Sequence, residues 1–264
     1  MTELQAAIAA NRFGLGAKPG ELGKIKRPEA WLLDQVKGPS RLAAELRDLP
    51  PSASVLIEAQ ELRRAQRQAR ANDEDIVQRY GRWARQHYIS QASARYLAAA
   101  SSDEPFHERL VHFWSNHFAV SADKQPLPTI AGLMENEAIR PNVGSSFYDL
   151  LRAVESHPAM LVYLDNQRSI GPNSQFGKRA NRRRSDQEFG LNENLAREIL
   201  ELHTLGVDGG YTQKDVTSFA KVITGWSIGG ATDRGLLADG RPGTFEFREI
   251  MHEPGAQRIL GNRY

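Results

Sequence analysis

The sequence contains no cysteine and no long hydrophobic run. Without cysteine, the chain cannot form disulfides, bind metals through thiolates or use a cysteine nucleophile. No stretch approaches the roughly 18 consecutive apolar residues that span a bilayer, so we expect no membrane span. The first 16 residues also lack a basic segment followed by an apolar run, so no signal peptide is expected. The sequence as written therefore predicts a cytoplasmic protein.

Neither sign of charge dominates. The 34 Lys and Arg residues face 32 Asp and Glu residues, which gives a net charge of +2. This balance gives no reason to expect nucleic-acid binding. With 264 residues, 40% of them hydrophobic, the chain is long enough to form a substantial core. We therefore expect one largely helical domain over residues 1–264.

Helical patterns dominate the chain. We expect an all-α fold, a multi-helix orthogonal or bundle-like array, with at most a short β element near the C-terminus. Residues 53–100 are almost free of Gly and Pro and predict two long polar helices, broken near Asn72 and Gly81. The Gly- and Arg-rich residues 168–190 predict a flexible basic loop. Other helices are predicted over 28–37, 103–119, 129–139, 145–155, 158–165, 191–205 and 212–226, the last opened by a capping box of Thr212 and Asp215.

Two histidines lie on the predicted helix 103–119, in the stretch RLVHFWSNHFAVS. His117 shares the most apolar face of this helix with Leu110, Phe113 and Trp114. His112 lies on a different face, with Glu108, Ser115 and Asn116. A buried imidazole without a partner costs a few kcal/mol, so His117 needs a hydrogen bond, a charge or a metal.

A second polar cluster lies on the predicted helix 191–205. Asn194, Glu198 and Glu201 line one face, beside an apolar stripe of Leu195, Ile199 and Leu202. Two carboxylates so close together raise one pKa or attract a cation. The alternative is a solvated helix with ion pairs from Arg197 to Glu193 and Glu201. His203 lies nearly opposite Glu201, beside Ala196, Ile199 and Leu200, where a structural role in the last turn is expected.

Several stretches together resemble the bacterial family called domain of unknown function 1800. They are NRFGLGAKPGE, RLVHFWSNHFAVS, HPAMLVYLDN, residues 192–226 (NENLAREILELHTLGVDGGYTQKDVTSFAKVITGW) and the final FEF…HEPGAQRILGNRY. The resemblance spans nearly the whole chain and implies a largely helical fold without an established reaction. The family's motif often carries another histidine where this chain has Ser115.

The resemblance also sets expectations about the protein's context. Family sequences continue well past the last landmark, so we expect this chain to be an N-terminal portion, truncated at the C-terminus. Family members are often exported, and their genes often lie beside genes of the domain of unknown function 1501 family. A protein of that second family is the expected partner.

Two functional hypotheses follow. In the first, a divalent metal binds between helices 103–119 and 191–205, with His117, Glu198 and Glu201 as ligands. Glu198 or Glu201 would then act as the general base of hydrolase-like chemistry. In the second, the protein is a non-catalytic helical scaffold or partner-binding protein. Its polar residues would then form a structural hydrogen-bond network of Asn116, Asn194, Arg197, His203 and His112.

Overall fold

The computed structural model of the protein describes residues 3–37, 42–68, 74–183, 190–230 and 239–264. Within these ranges the secondary structure is mainly helical, with a few short antiparallel strands near the C-terminus. The predicted fold class is thereby confirmed. No helix in these ranges combines the length and apolarity needed to cross a membrane.

Twelve α-helices occur in the described ranges. They are α1 Glu3–Ile8, α2 Pro28–Asp34, α3 Ala44–Arg47, α4 Ser52–Gln68, α5 Glu74–Ser101, α6 Pro105–His117, α7 Ala131–Met134, α8 Phe147–Glu155, α9 Pro158–Tyr163, α10 Gln175–Arg183, α11 Asn194–Glu198 and α12 Gln213–Val222. Three π-helical segments occupy Ala9–Phe13, Glu135–Ile139 and Ile199–Thr204. The 3₁₀ turns are Leu22–Lys24, Leu127–Thr129, Arg140–Asn142, Asn166–Arg168 and Glu249–Met251.

Local sequence signals explain several helix starts. Proline occupies the first position of α2, α6 and α9, where its missing N–H costs nothing. At the start of α12, Thr212 Oγ1 accepts the Asp215 N–H at 3.3 Å, and Asp215 Oδ2 accepts the Thr212 N–H at 2.9 Å. The predicted capping box is therefore confirmed.

The strands form two small antiparallel pairs. β1 (Trp226–Ile228) pairs with β2 (Phe245–Phe247), and β3 (Arg258–Ile259) pairs with β4 (Asn262–Arg263). Leu260 and Gly261 join β3 to β4, and both have positive φ angles, as two-residue hairpin turns of type I′ require. The Leu260 N–H donates to Asp215 Oδ1 at 2.7 Å. Asp215, which belongs to the capping box of α12, therefore also binds this hairpin.

The chain divides into two compact units. The single domain expected over residues 1–264 stays a prediction. The first unit comprises Met1–Pro51 and Ala65–Val154, and the second comprises Ser52–Arg64 and Glu155–Tyr264. The largest fully buried apolar side chains of the first unit are Phe118, Leu127, Ile130, Leu133, Ile139 and Leu150. Those of the second unit are Met160, Leu161, Leu195, Ile223 and Met251.

Two predicted features differ from the structure. Helix α5 continues through Gly81 without a break, because a single glycine costs only about 1 kcal/mol and α5 has a long buried face. The predicted break near Asn72 lies outside the described residues. Helix α10 occupies residues that were predicted as part of the basic loop 168–190, and residues 184–189 of that loop also lie outside the described ranges.

Candidate functional site

Helix α6, which carries HFWSNH, buries the charged residue Glu108 together with Val111, while Phe113 on its aromatic side is exposed. Glu108 is 4% exposed, whereas Phe113 is 59% exposed. The sequence predicted the opposite orientation, with His117 and its aromatic neighbours facing the core. Hydrophobicity alone favours that orientation, so the polar face must gain more from its buried partners than the aromatic face would gain from burial.

The buried partners form a compact ion network of Glu108, Glu135, Arg140 and Arg95. Arg140 is 3% exposed, and its Nη1 donates to Glu108 Oε1 while its Nη2 lies 3.5 Å from Glu135 Oε1. Glu135 Oε2 accepts from Arg95 Nε at 2.7 Å and from Ser115 Oγ at 2.8 Å. The two carboxylates and two guanidinium groups balance in charge, as buried ions must.

A π-helical turn brings Glu135 and Arg140 together. The Arg140 N–H bonds to the Glu135 carbonyl, five residues earlier. In a regular α-helix, residues five apart point in different directions, but an i→i+5 turn stacks them on one side. Both charged side chains therefore lie on the side of this segment that faces α6. Ser115 also contacts Glu135.

Two histidines of α6 border the ion network. His107 Nε2 lies 3.2 Å from the Arg140 carbonyl oxygen, which can only accept, so this nitrogen carries a proton. Burial, followed by the charge of Arg140, lowers the pKa of His107. Burial, followed by the charge of Arg95, lowers the pKa of His112. His112, a residue of the predicted polar network, is therefore affected by the charges of the ion network.

The other side of α6 and the start of α8 carry aromatic residues. We define the aromatic face as Phe113, Trp114 and His117 on α6 together with Phe147 and Tyr148 on α8. The Trp114 ring lies 5.7 Å from the ring of Phe147 on α8, and 5.5 Å from the half-buried imidazole of His117. Phe113, Phe147 and Tyr148 are exposed, and so is Asn116 next to His117. His117 is therefore half-buried, between the Trp114 ring and the fully buried Phe118, whose ring centroid lies 4.6 Å from that of the imidazole.

In the second unit, α11 carries a hydrogen-bonded surface cluster around Glu193. Arg197 Nη2 lies 3.1 Å from Glu193 Oε2, which confirms this predicted ion pair. Thr217 Oγ1 donates to Glu193 at 2.6 Å, and this hydrogen bond is the main cause that lowers the pKa of Glu193. Asn194 is exposed at the start of α11, and its backbone N–H donates to Asn192 Oδ1 at 2.8 Å.

His203 forms a buried pair with Glu155. Its Nδ1 lies 2.7 Å from Glu155 Oε1, and both residues are buried. Ala196, Ile199 and Leu200, which the sequence predicted on the same face as His203, are buried as well. Leu202, predicted on the apolar stripe, is exposed. Because the segment Ile199–Thr204 is π-helical and turns less per residue than an α-helix, positions after Ile199 point in other directions than predicted.

Glu198 and Glu201, the predicted catalytic residues and metal ligands, are both half-buried in the second unit. His117, the third predicted ligand, belongs to the first unit. Across the described part of the chain, no three His, Asp or Glu side chains are grouped so that they could hold a metal ion. The metal site stays a prediction.

These observations define a mainly helical protein with buried ionic contacts in each of its two units. Residues 8–264 match the model of a protein family of unknown function, DUF1800, and the chain belongs to this family. The resemblance inferred from the sequence motifs is thereby confirmed. Neither the curated proteins nor the solved structures contain a significant match.

Proposed function

We propose that this protein is a non-catalytic, partner-binding scaffold that presents the aromatic face of α6 and α8 to another protein. The observation that carries this proposal is the orientation of α6, whose charged face is buried while Phe113 is 59% exposed. A helix turned this way keeps a large apolar surface in water, which a soluble protein rarely does without a binding role.

The ion network supports a structural role for the polar residues of α6. Each carboxylate of the network already contacts a guanidinium group, so the charges neutralise one another. Such a network fixes the rotation of α6 about its axis, because turning the helix would leave Glu108 and Arg140 buried without each other. The aromatic face is thereby held rigidly before a partner arrives, which reduces the entropy lost on binding.

The partner that we propose is a protein of the domain of unknown function 1501 family. Exposed aromatic side chains on a rigid surface are typical of the residues that contribute most to protein–protein binding. The net charge of +2 supports a protein partner over a nucleic acid. The cytoplasmic location expected from the sequence stays a prediction, which fractionation of cells that produce the protein tests.

The test measures binding of a purified protein of that family from the same genome by isothermal titration calorimetry. The double variant Phe113→Ala/Tyr148→Ala should bind at least tenfold more weakly, since each lost aromatic anchor costs about 1 kcal/mol or more. Its melting temperature should stay close to that of the wild type, because both side chains are exposed. Tyr264→Ala is the matched control, since Tyr264 is 67% exposed and lies in the second unit, outside the aromatic face. Undetectable binding by the wild type, or equal binding by the double variant, contradicts the proposal.

A divalent-metal hydrolase is the second candidate function, supported by the π-helical segment that begins at Ile199, between Glu198 and Glu201. Such segments are frequent at functional sites. In this second proposal Glu198 and Glu201 bind the metal, and one of the two glutamates acts as the general base. Plasma mass spectrometry of protein purified without chelators tests it. One metal per chain, lost in Glu198→Gln and Glu201→Gln but kept in the control Glu193→Gln, supports the site, and metal-free wild type rejects it.

A further inference from the structure

From Arg82 onwards, helix α5 carries apolar side chains on two of its sides. One of these sides is buried, and the other is exposed to solvent. Tyr80, Ala84, Ala94 and Ala98 are buried in the first unit. On the other side, large apolar residues remain exposed, with Tyr96 at 71% and Leu97 at 57%. We define the α5 stripe as Tyr88, Ile89, Ala92, Ser93, Tyr96 and Leu97. Their spacing of three and four residues places them on one helix face.

The α5 stripe is nearly symmetric about its centre. A pair of large residues, Tyr88 and Ile89, precedes the small pair Ala92 and Ser93, and another large pair follows it. If a second α5 lies antiparallel across this centre, Tyr88 faces Leu97, and Ile89 faces Tyr96. In a two-fold interface, every such contact occurs twice. The small central residues allow the two helices to approach closely where they cross.

The charges around the stripe favour the same antiparallel arrangement. Between Asp75 and Asp103 the sequence contains no acidic residue, whereas Arg82 and Arg85 precede the stripe. Asp103, just after α5, has a fully exposed side chain, 3.1 Å from Lys18 Nζ. The antiparallel pairing places Arg82 of each copy opposite Asp103 of the other. A parallel pairing would instead place arginines beside arginines, which is unfavourable.

We propose that the protein forms a two-fold symmetric dimer through the α5 stripe, with the two α5 helices antiparallel. Residues 82–101 span about 29 Å of helix, so the interface lies at the low end of the sizes seen for specific complexes. The expected dissociation constant is accordingly in the roughly micromolar range. This interface does not include the aromatic face, so the dimer does not depend on the proposed function.

Sedimentation equilibrium of the full chain from about 1 to 100 µM is the first test. The wild type should shift from monomer to dimer, and Leu97→Glu should weaken the dimer at least 100-fold because each dimer then buries two carboxylates. Tyr148→Glu, an equally drastic change on the aromatic face, is the matched control and should leave the dimer intact. Arg82→Glu and Asp103→Arg should each weaken the dimer, and the double variant should restore it.

Cross-linking tests the register independently of any loss of folding, because the chain has no native cysteine. Ser93→Cys lies near the two-fold axis, where two thiols can come within disulfide distance. It should therefore give a covalent dimer under mild oxidation. Ala100→Cys, equally exposed but facing Arg85 of the other copy, should not. A monomer at all concentrations, a dimer unaffected by Leu97→Glu, or equal cross-linking by both cysteine variants overturns the proposal.

Discussion

The buried ion network predicts that Arg140→Met lowers the free energy of unfolding. Methionine keeps an unbranched side chain of similar length but removes the positive charge that both Glu108 and Glu135 contact. Glu135 retains its bonds to Arg95 and Ser115. Glu108 loses the only cation that contacts it within the described residues, so most of the penalty arises at this carboxylate.

The size of the loss follows from the burial of these groups. Removing one partner of a buried ion pair costs about 3–5 kcal/mol in the free energy of unfolding, because the remaining charge is left in a poorly solvating interior. Removing both partners leaves no stranded charge. The double variant Arg140→Met/Glu108→Met should therefore be more stable than Arg140→Met alone, although it carries one more substitution.

Urea denaturation measures both effects. Three of the four tryptophans, Trp31, Trp83 and Trp114, belong to the first unit, so tryptophan fluorescence reports mainly on the unit that contains the network. Lys18→Met is the control, since Lys18 lies in the same unit and its pair with the fully exposed Asp103 should contribute little. If Arg140→Met lost less than about 1 kcal/mol, or if the double variant lost the sum of both single changes, the reasoning about stranded charge would be wrong.

Other predictions follow from single contacts. Burial lowers the pKa of His107 and His112, so the unfolded chain binds more protons below about pH 6.5, and stability should fall as the pH drops from there towards the folded pKa values. Urea midpoints between pH 5 and pH 8 measure this dependence of stability on pH. His112→Gln should weaken the dependence, and an unchanged dependence would contradict the assignment to His112. Thr212→Ala should lose about 1 kcal/mol through the capping box, with Thr212→Ser close to wild type in urea denaturation. Leu161→Ala should lose about 2–5 kcal/mol because Leu161 is fully buried, and a loss below 1 kcal/mol would contradict the packing.

Features that depend on neighbouring residues could be predicted from the sequence. The helix starts follow from proline positions, and the capping box follows from Thr212 and Asp215, three residues apart. The ion pair between Glu193 and Arg197 follows from their i,i+4 spacing. In each case the interaction forms within one or two helical turns.

Long-range pairs could not be predicted in this way. His203 pairs with Glu155, and Arg140 pairs with Glu108, across segments that hydrophobic periodicity does not connect. The π-helical turns were also missed, since no composition rule distinguishes Glu135–Ile139 from an ordinary helix. Such a turn changes which residues share a face, as the exposed Leu202 illustrates.

The orientation of α6 shows why ranking helix faces by hydrophobicity can fail. Burying an aromatic face gains an amount set by its area, whereas burying a charged face is favourable only when specific partners are present. Here Arg140 and Glu135 provide those partners, and the aromatic residues remain at the surface. The motif HFWSNH therefore separates into two sets of residues with distinct expected roles. Substitutions at Ser115, or at Glu108 one turn before the motif, should change stability, whereas those at Phe113 should change binding without unfolding the protein.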